Sequence, residues 1–306
     1  MNGTSPLLVD VAPRDGLQNE TVRFSTEQKI ELIHRIGEAG VRAIEVTAFV
    51  SPKWVPQMAD AAEVAAALAD VDDIEAIALV VNDQGFERAM EAGIEHVRLV
   101  VSVTDTMNSK NANRLPEETM SAYEPLLARA AKLEVRATGV LSVAFGCPFE
   151  GEVDPEAVIR LARQFVDAGA TAIDFADTVG MAVPTQVNDM LRRARLEFGD
   201  DVALGIHLHN TRNAGIVNAY AALNAGVDVI DASTGGAGGC PFVPEATGNI
   251  PMEDLVFLLE GMGVPTGVNV QKLIETAQWL EGALGRTLPG MVMKAGNCWA
   301  SPPRTA

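Results

Sequence analysis

The sequence predicts an α/β fold: a (β/α)8 barrel followed by one further helical segment. Three observations carry that expectation. Eight short runs rich in β-branched and aliphatic residues alternate with eight longer amphipathic runs. Four of the amphipathic runs end alike, in Glu-Ala-Gly at 38–40 and 91–93, Asp-Ala-Gly at 167–169 and Asn-Ala-Gly at 224–226. A glycine there is the usual left-handed helix stop, and the next extended run begins within a few residues. Finally, no glycine fingerprint follows the first extended run, which disfavours an open doubly wound sheet, the main competing arrangement.

Taken in order, the extended runs are 7–11, 43–47, 76–81, 96–102, 136–143, 172–175, 203–207 and 227–231. Helical periodicity spans 26–39, 59–68, 83–92, 117–133, 155–168, 184–198, 213–225 and 251–261. Pro155, Pro184 and Pro251 open three of these helices, where a missing N–H costs nothing. Beyond Gly261 the pattern changes to one more amphipathic helix, 268–284, and a Pro/Gly-rich tail. The expected division is a catalytic barrel over 1–264 and a packed C-terminal helix and tail over 265–306.

With 306 residues, 48% hydrophobic, the chain can fill a large core. Its formal charge of −18 argues against nucleic acid and anionic membrane surfaces as partners. The three cysteines, Cys147, Cys240 and Cys298, are too scattered for a disulfide framework and fit a reducing compartment. No run of about 18 apolar residues and no signal-like N-terminus is present, so a cytoplasmic location is expected.

In a (β/α)8 barrel, the strand ends that precede helices open on one face, where active sites are built. Arg14, Asp15 and Gln18 follow the first run, after Pro13 breaks it. Glu45 lies inside the second run, where a buried strand should be apolar. Asp174 and Asp177 end the sixth run, His207 and His209 the seventh, and Asp231 the eighth. Cys240 stands in a glycine-rich loop, and Asn249 precedes the last barrel helix. His207-Leu208-His209 is the strongest local signal, because residues two apart on a strand point the same way. Two imidazoles on one face suit a metal, although ordinary polar contacts would also explain them. Asp15 and Asn249 can complete the set with oxygen ligands. Such a mixed set favours Mg2+ or Mn2+, with zinc a second choice. Arg14 beside Asp15 is either a solvated surface pair or a cation facing a developing oxyanion. Cys240 is either small filler or a proton carrier at the barrel mouth. Cys147 is expected in the pocket wall, and His34 and His96 are expected to be structural.

The stretches Val-Ala-Pro-Arg-Asp-Gly-Leu-Gln-Asn-Glu (11–20), Phe-Val-Ser-Pro-Lys-Trp-Val-Pro-Gln-Met-Ala-Asp (49–60), Gly-Cys-Pro-Phe-Glu-Gly (146–151), Asp-Thr-Val-Gly (177–180), His-Leu-His-Asn-Thr (207–211), Gly-Gly-Cys-Pro-Phe (238–242), Gly-Asn-Ile (248–250) and Thr-Gly-Val-Asn-Val-Gln-Lys-Leu (266–273) together resemble the 3-hydroxy-3-methylglutaryl-CoA lyase family. These are metal-dependent lyase TIM barrels, and the similarity runs in order along almost the whole chain. The resemblance implies one divalent cation on Asp15, His207, His209 and Asn249. It implies that Arg14 steadies an enolate, Glu45 supports the arginine and metal shell, and Cys240 handles a proton. Lys53 and the segment with Lys110, Asn111 and Asn113 match positions near the CoA of an acyl-CoA substrate, with Gln18 and Asp174 at the acyl end. Cleavage of the thioester to acetyl-CoA and a keto acid, a role in leucine degradation and a homo-oligomer (dimer or tetramer) are the expected consequences.

Three positions depart from the family pattern. Ala48 stands where a hydroxyl is common, Asp174-Phe175-Ala176 replaces Ser-Leu-Gly, and Asn210-Thr211-Arg212-Asn213 replaces Asp-Thr-Tyr-Gly-Gln. These departures bear on the acyl group. Citramalyl-CoA or a longer 3-hydroxy-3-alkylglutaryl-CoA is therefore an alternative substrate. An acetyl-CoA-condensing synthase and a non-catalytic scaffold are weaker alternatives. The first usually carries a longer C-terminal region, and the second predicts a broken ligand set.

Overall fold

A computed structural model of the chain describes residues 5–69, 71–239 and 247–298. Among them, eight parallel strands close into a barrel in sequence order: β1 (Leu7–Asp10), β2 (Ala43–Phe49), β3 (Glu75–Val80), β4 (His96–Ser102), β5 (Arg136–Ser142), β6 (Ala172–Asp177), β7 (Ala203–Leu208) and β8 (Val229–Ala232). Closure is made by β1 on β8, from Leu7 opposite Val229 to Asp10 opposite Ala232. The helices are α1 (Thr26–Glu38), α2 (Ala61–Ala66), α3 (Asp83–Glu91), α4 (Asp105–Ala112), α5 (Pro116–Lys132), α6 (Pro155–Asp167), α7 (Pro184–Phe198), α8 (Gly215–Asn224), α9 (Met252–Gly261), α10 (Val270–Leu284) and α11 (Val292–Ala295). The (β/α)8 expectation holds.

Local chemistry explains most boundaries. Ser25 and Gln28 form a reciprocal capping box at the start of α1. Asp154 caps α6 ahead of Pro155, and Asn269 caps α10. Gly40 and Gly169, two of the predicted stops, have φ of 102° and 112°, which a side chain would strain. Two short helices differ from expectation. α4 carries the sequence Asp-Thr-Met-Asn-Ser-Lys-Asn-Ala and buries only Met107 and Asn108, so it shows no apolar stripe to read. α11 is a single turn.

Alternate residues of each strand face opposite ways. Outward residues meet the helices in a continuous apolar layer that includes Phe49, Phe86, Phe165 and Phe175, all fully buried. Phe165 of α6 lies so close to β5 that a Cβ at Gly139 would come within 2.4 Å of its ring. Inside the cylinder, Val9, Val11, Ala43, Ile77 and Val229 form a small separate apolar cluster. Other inward positions carry Glu45, Arg98, Asp174, His207 and Asp231, and these build the site. α10 lies against α1, with the Phe24 and Trp279 rings edge to face at 6.3 Å and Arg35 over Trp279. No helix among the described residues is long and apolar enough to cross a membrane.

Candidate metal centre

The strand β1 ends because Pro13 turns the chain into a one-turn π-helix, Ala12–Gly16. Asp10 fastens that turn by accepting from the Ala12 N–H at 2.8 Å and the Thr234 hydroxyl at 2.6 Å. The turn carries Arg14 and Asp15 into the barrel mouth, each only 9% exposed. Arg14 donates from Nε to Glu45 Oε2 at 2.7 Å and from Nη1 to Asp15 Oδ1 at 2.8 Å. Gln18 Nε2 donates to the same Asp15 oxygen at 3.1 Å. A register shift in β2 falls between Glu45 and Thr47, as bulges often do beside active sites.

That leaves Asp15 Oδ2 facing the two imidazoles. It lies 4.0 Å from Nε2 of His207 and 4.0 Å from Nε2 of His209, and the two nitrogens are 3.2 Å apart. These three residues form a group able to hold a metal ion. A point equidistant from the three atoms lies about 2.2 Å from each, close to ordinary divalent cation–ligand bond lengths. Asn249 is fixed alongside by a two-residue bridge to His209 and by Ile250 N–H donating to Leu208 O at 3.1 Å. Its Nδ2 donates to Asp15 Oδ2 at 2.8 Å, while its buried Oδ1 has no hydrogen-bond partner. An orphaned amide oxygen beside a carboxylate and two imidazole nitrogens fits a divalent cation with nitrogen and oxygen ligands.

The electrostatics agree. Burial, and then the neighbouring His207, push His209 down to about 4, so its ring is neutral and has a lone pair to give. Burial alone would raise Asp15, but Arg14 and the two histidines outweigh it and hold the carboxyl below its usual range. Burial pulls His207 down, yet its bond to Asp231 and the nearby carboxylates leave it raised, so binding a cation would displace a proton.

One layer deeper, Arg98 of β4 reaches across the barrel. Its Nη1 and Nη2 donate to the two oxygens of Asp231 at 2.6 and 2.8 Å. Asp231 Oδ2 in turn lies 3.1 Å from His207 Nδ1. Asp174, expected at the acyl end, is 1% exposed, with Oδ2 3.1 Å from Arg98 Nη2. The inward pleat of β6 puts it below the imidazoles, and burial raises it to about 7. Arg98 is the charged residue that sequence reasoning passed over. Its one signal was a cation in the middle of an otherwise apolar strand.

The other expected residues sort by distance from this centre. Lys53 lies over Trp54 and Lys110 over Phe149, both at the mouth-side ends that follow β2 and β4. Asn111 is exposed, and Asn113 ends α4 in a left-handed conformation. None of these four touches the triad. Asp177 serves the backbone, accepting from the N–H groups of Met181 and Ala182. Asn210 and Arg212 also bind backbone: Asn210 accepts from Gly215 N–H, and Arg212 donates to Val179 O and Gly180 O. Buried Cys147 accepts from the Thr104 hydroxyl at 3.1 Å. Cys240 lies outside the described residues.

A family model described as HMGL-like matches residues 5–280. The chain belongs to the HMGL-like family. This HMGL-like protein is 45% identical over 299 residues to the (R)-citramalyl-CoA lyase of Chloroflexus aurantiacus, with 94% of each chain covered. It is 38% identical over 280 residues to a hydroxymethylglutaryl-CoA lyase of Bacillus subtilis, covering 92% of this chain and 93% of that one. Its fold matches an HMG-CoA lyase from Acinetobacter baumannii, solved with coenzyme A and 3-methylmalate, at a TM-score of 0.93, 34% identity and 99% coverage of both chains. The HMGL-like protein is a carbon–carbon lyase, as the resemblance implied.

Proposed function

We propose that this lyase cleaves a 3-hydroxy-3-methylglutaryl-CoA-like thioester between its α and β carbons, giving acetyl-CoA and a keto acid, acetoacetate for the parent substrate. The observation that carries the reading is the meeting of Asp15, His207 and His209 within ligand distance of one another, directly beside the Arg14–Glu45 pair. Asp15, His207, His209 and Asn249 would hold Mg2+ or Mn2+, which supplies Lewis acidity toward the substrate's β-hydroxyl. Once that hydroxyl loses its proton, its electrons form the new carbonyl and the α–β bond pair moves into the thioester as an enolate. Arg14 offers that oxygen a planar fork of N–H donors, and Glu45 keeps the fork aimed. Cys240 returns a proton to the enolate carbon. Gln18 steadies Asp15 by donating to the oxygen that Arg14 also holds. Lys53, Lys110, Asn111 and Asn113 supply polar and cationic groups toward the CoA, which a chain of charge −18 must concentrate locally. Residues 1–264 act as the catalytic barrel and 265–306 as an accessory segment, in a cytoplasmic homo-oligomer.

The 45% identity to a citramalyl-CoA lyase favours a second substrate, citramalyl-CoA. That thioester has the same tertiary alcohol, with one methylene fewer before the carboxylate, and yields pyruvate in place of acetoacetate. The test is acetyl-CoA release from both thioesters, with and without chelator, and identification of the keto acid. The proposal expects chelator-sensitive release from at least one of them, with faster acetoacetate formation marking the parent substrate. Release that survives complete chelation, or no release from either thioester, would sink it.

A further inference from the structure

The cross-barrel network beneath the imidazoles does work that no ligand does. We infer that Arg98, locked between Asp174 and Asp231, is the positioning residue that holds His207 in its metal-binding orientation. The inference rests on the ligand set proposed above. The geometry has three parts. Arg98 spans both oxygens of Asp231 with a bidentate fork, which fixes the plane of that carboxylate. Asp231 then lies within hydrogen-bond reach of His207 Nδ1, so its held oxygen accepts the Nδ1–H and turns the Nε2 lone pair toward His209 and Asp15. Asp174 steadies the other side of the guanidinium.

His209 supplies the internal contrast. Its Nδ1 is buried with no partner, so no carboxylate grips its far side as Asp231 grips that of His207. His207 is therefore the imidazole that the protein itself orients before any ligand arrives.

The backbone makes room for this arrangement. A Cβ at Gly205 would sit 1.7 Å from Asp174 Oδ1, so the glycine on β7 is the space that the carboxylate fills. This accounts for the departure at Asp174, where the family commonly has a serine. A carboxylate there meets a buried cation rather than a substrate. Arg98 thus sits between two carboxylates, and its fork on Asp231 keeps that group fixed for His207.

The test uses the purified full-length chain. In the metal-free wild type, at a pH alkaline enough to leave the ring neutral, nitrogen-15 NMR of the imidazoles should show His207 as a single Nδ1–H tautomer. Arg98→Lys keeps a cation for both carboxylates but not the fork, and Arg98→Met with Asp174→Ser removes one charge of each sign and leaves Asp231 with His207 as its remaining partner. Each variant should give a mixture of His207 tautomers and weaken Mn2+ binding by calorimetry about 10- to 100-fold, the usual loss for a ligand's outer partner. A purely structural role would lower the melting temperature and leave the tautomer and the Mn2+ affinity unchanged in folded protein, and that result would overturn the inference. A wild type that shows the pinned tautomer yet binds no Mn2+ would instead refute the ligand assignment and leave the orientation of His207 standing.

Discussion

The two faces of the same eight strands differ sharply. The outward face meets the helices through Phe49, Phe165, Phe175 and dozens of aliphatic side chains. The inward face holds Glu45, Arg98, Asp174, His207 and Asp231, with only a small apolar cluster among them. One face removes apolar area from water and holds the cylinder together. The other keeps several charges in a water-poor interior, which is costly unless each is paired. The pairing there is close but incomplete, and several of the unpartnered atoms lie at or beside the triad. Glu45 Oε1, His209 Nδ1 and Asn249 Oδ1 all lack partners. Stability and chemistry are thus separated across one strand thickness, and substitutions on the two faces should fail in different ways.

The largest expected effect is on the inner face. His207→Ala should abolish divalent-cation binding and thioester cleavage together, while the chelated protein remains folded. Calorimetry with Mn2+ and an acetyl-CoA release assay check this, and intact affinity would break the division between faces. Arg14→Lys should retain metal binding but lose about 10²- to 10³-fold in turnover, because a point charge does not replace the fork that faces the enolate oxygen. Full activity would remove Arg14 from the reaction. On the outer face, Phe165→Ala should cost about 3–5 kcal/mol by denaturant unfolding, since the ring fills a slot shaped by Gly139. Its Mn2+ affinity should not change, and a parallel loss there would show that the faces are coupled.

The last effect, spread over several pH units, concerns a carboxyl that belongs to the helical shell. Buried Glu253 accepts from the Gly235 N–H, and burial raises it from 4.5 to about 8. The folded state then binds the proton more tightly than the unfolded state. Wild-type stability should therefore fall as pH rises from about 4.5 to about 8, by up to about 1.4 kcal/mol per pH unit from this group. Glu253→Gln cannot ionise and should unfold with a flatter pH profile over that window. Denaturant midpoints of the chelated proteins at pH 5, 6.5 and 8 measure the difference, and parallel profiles would assign the burden to other groups.

Much of the architecture was legible before any coordinates. Short aliphatic runs and Ala-Gly stops are local signals, and they survive because each strand–helix unit is set by its own residues. The polar α4 was not legible, because a helix that buries so little leaves no periodicity. Of the candidate site, Arg14, Asp15, His207, His209 and Asn249 stood out as polar groups at strand ends. The contact of Asp174 with Arg98 was not legible, because a strand-end carboxylate looks the same in sequence whether it points to the mouth or to a buried arginine.

Chain order and composition alone established eight alternating units, one functional end and the residue types available there. Only the closed barrel decided which of those residues meet. Arg98 and Asp231 are 133 positions apart, and Asp15 and Asn249 are 234 apart. The strand pleat fixes which way a side chain points, but the partner it finds inside the cylinder depends on shear and closure, which no local pattern encodes.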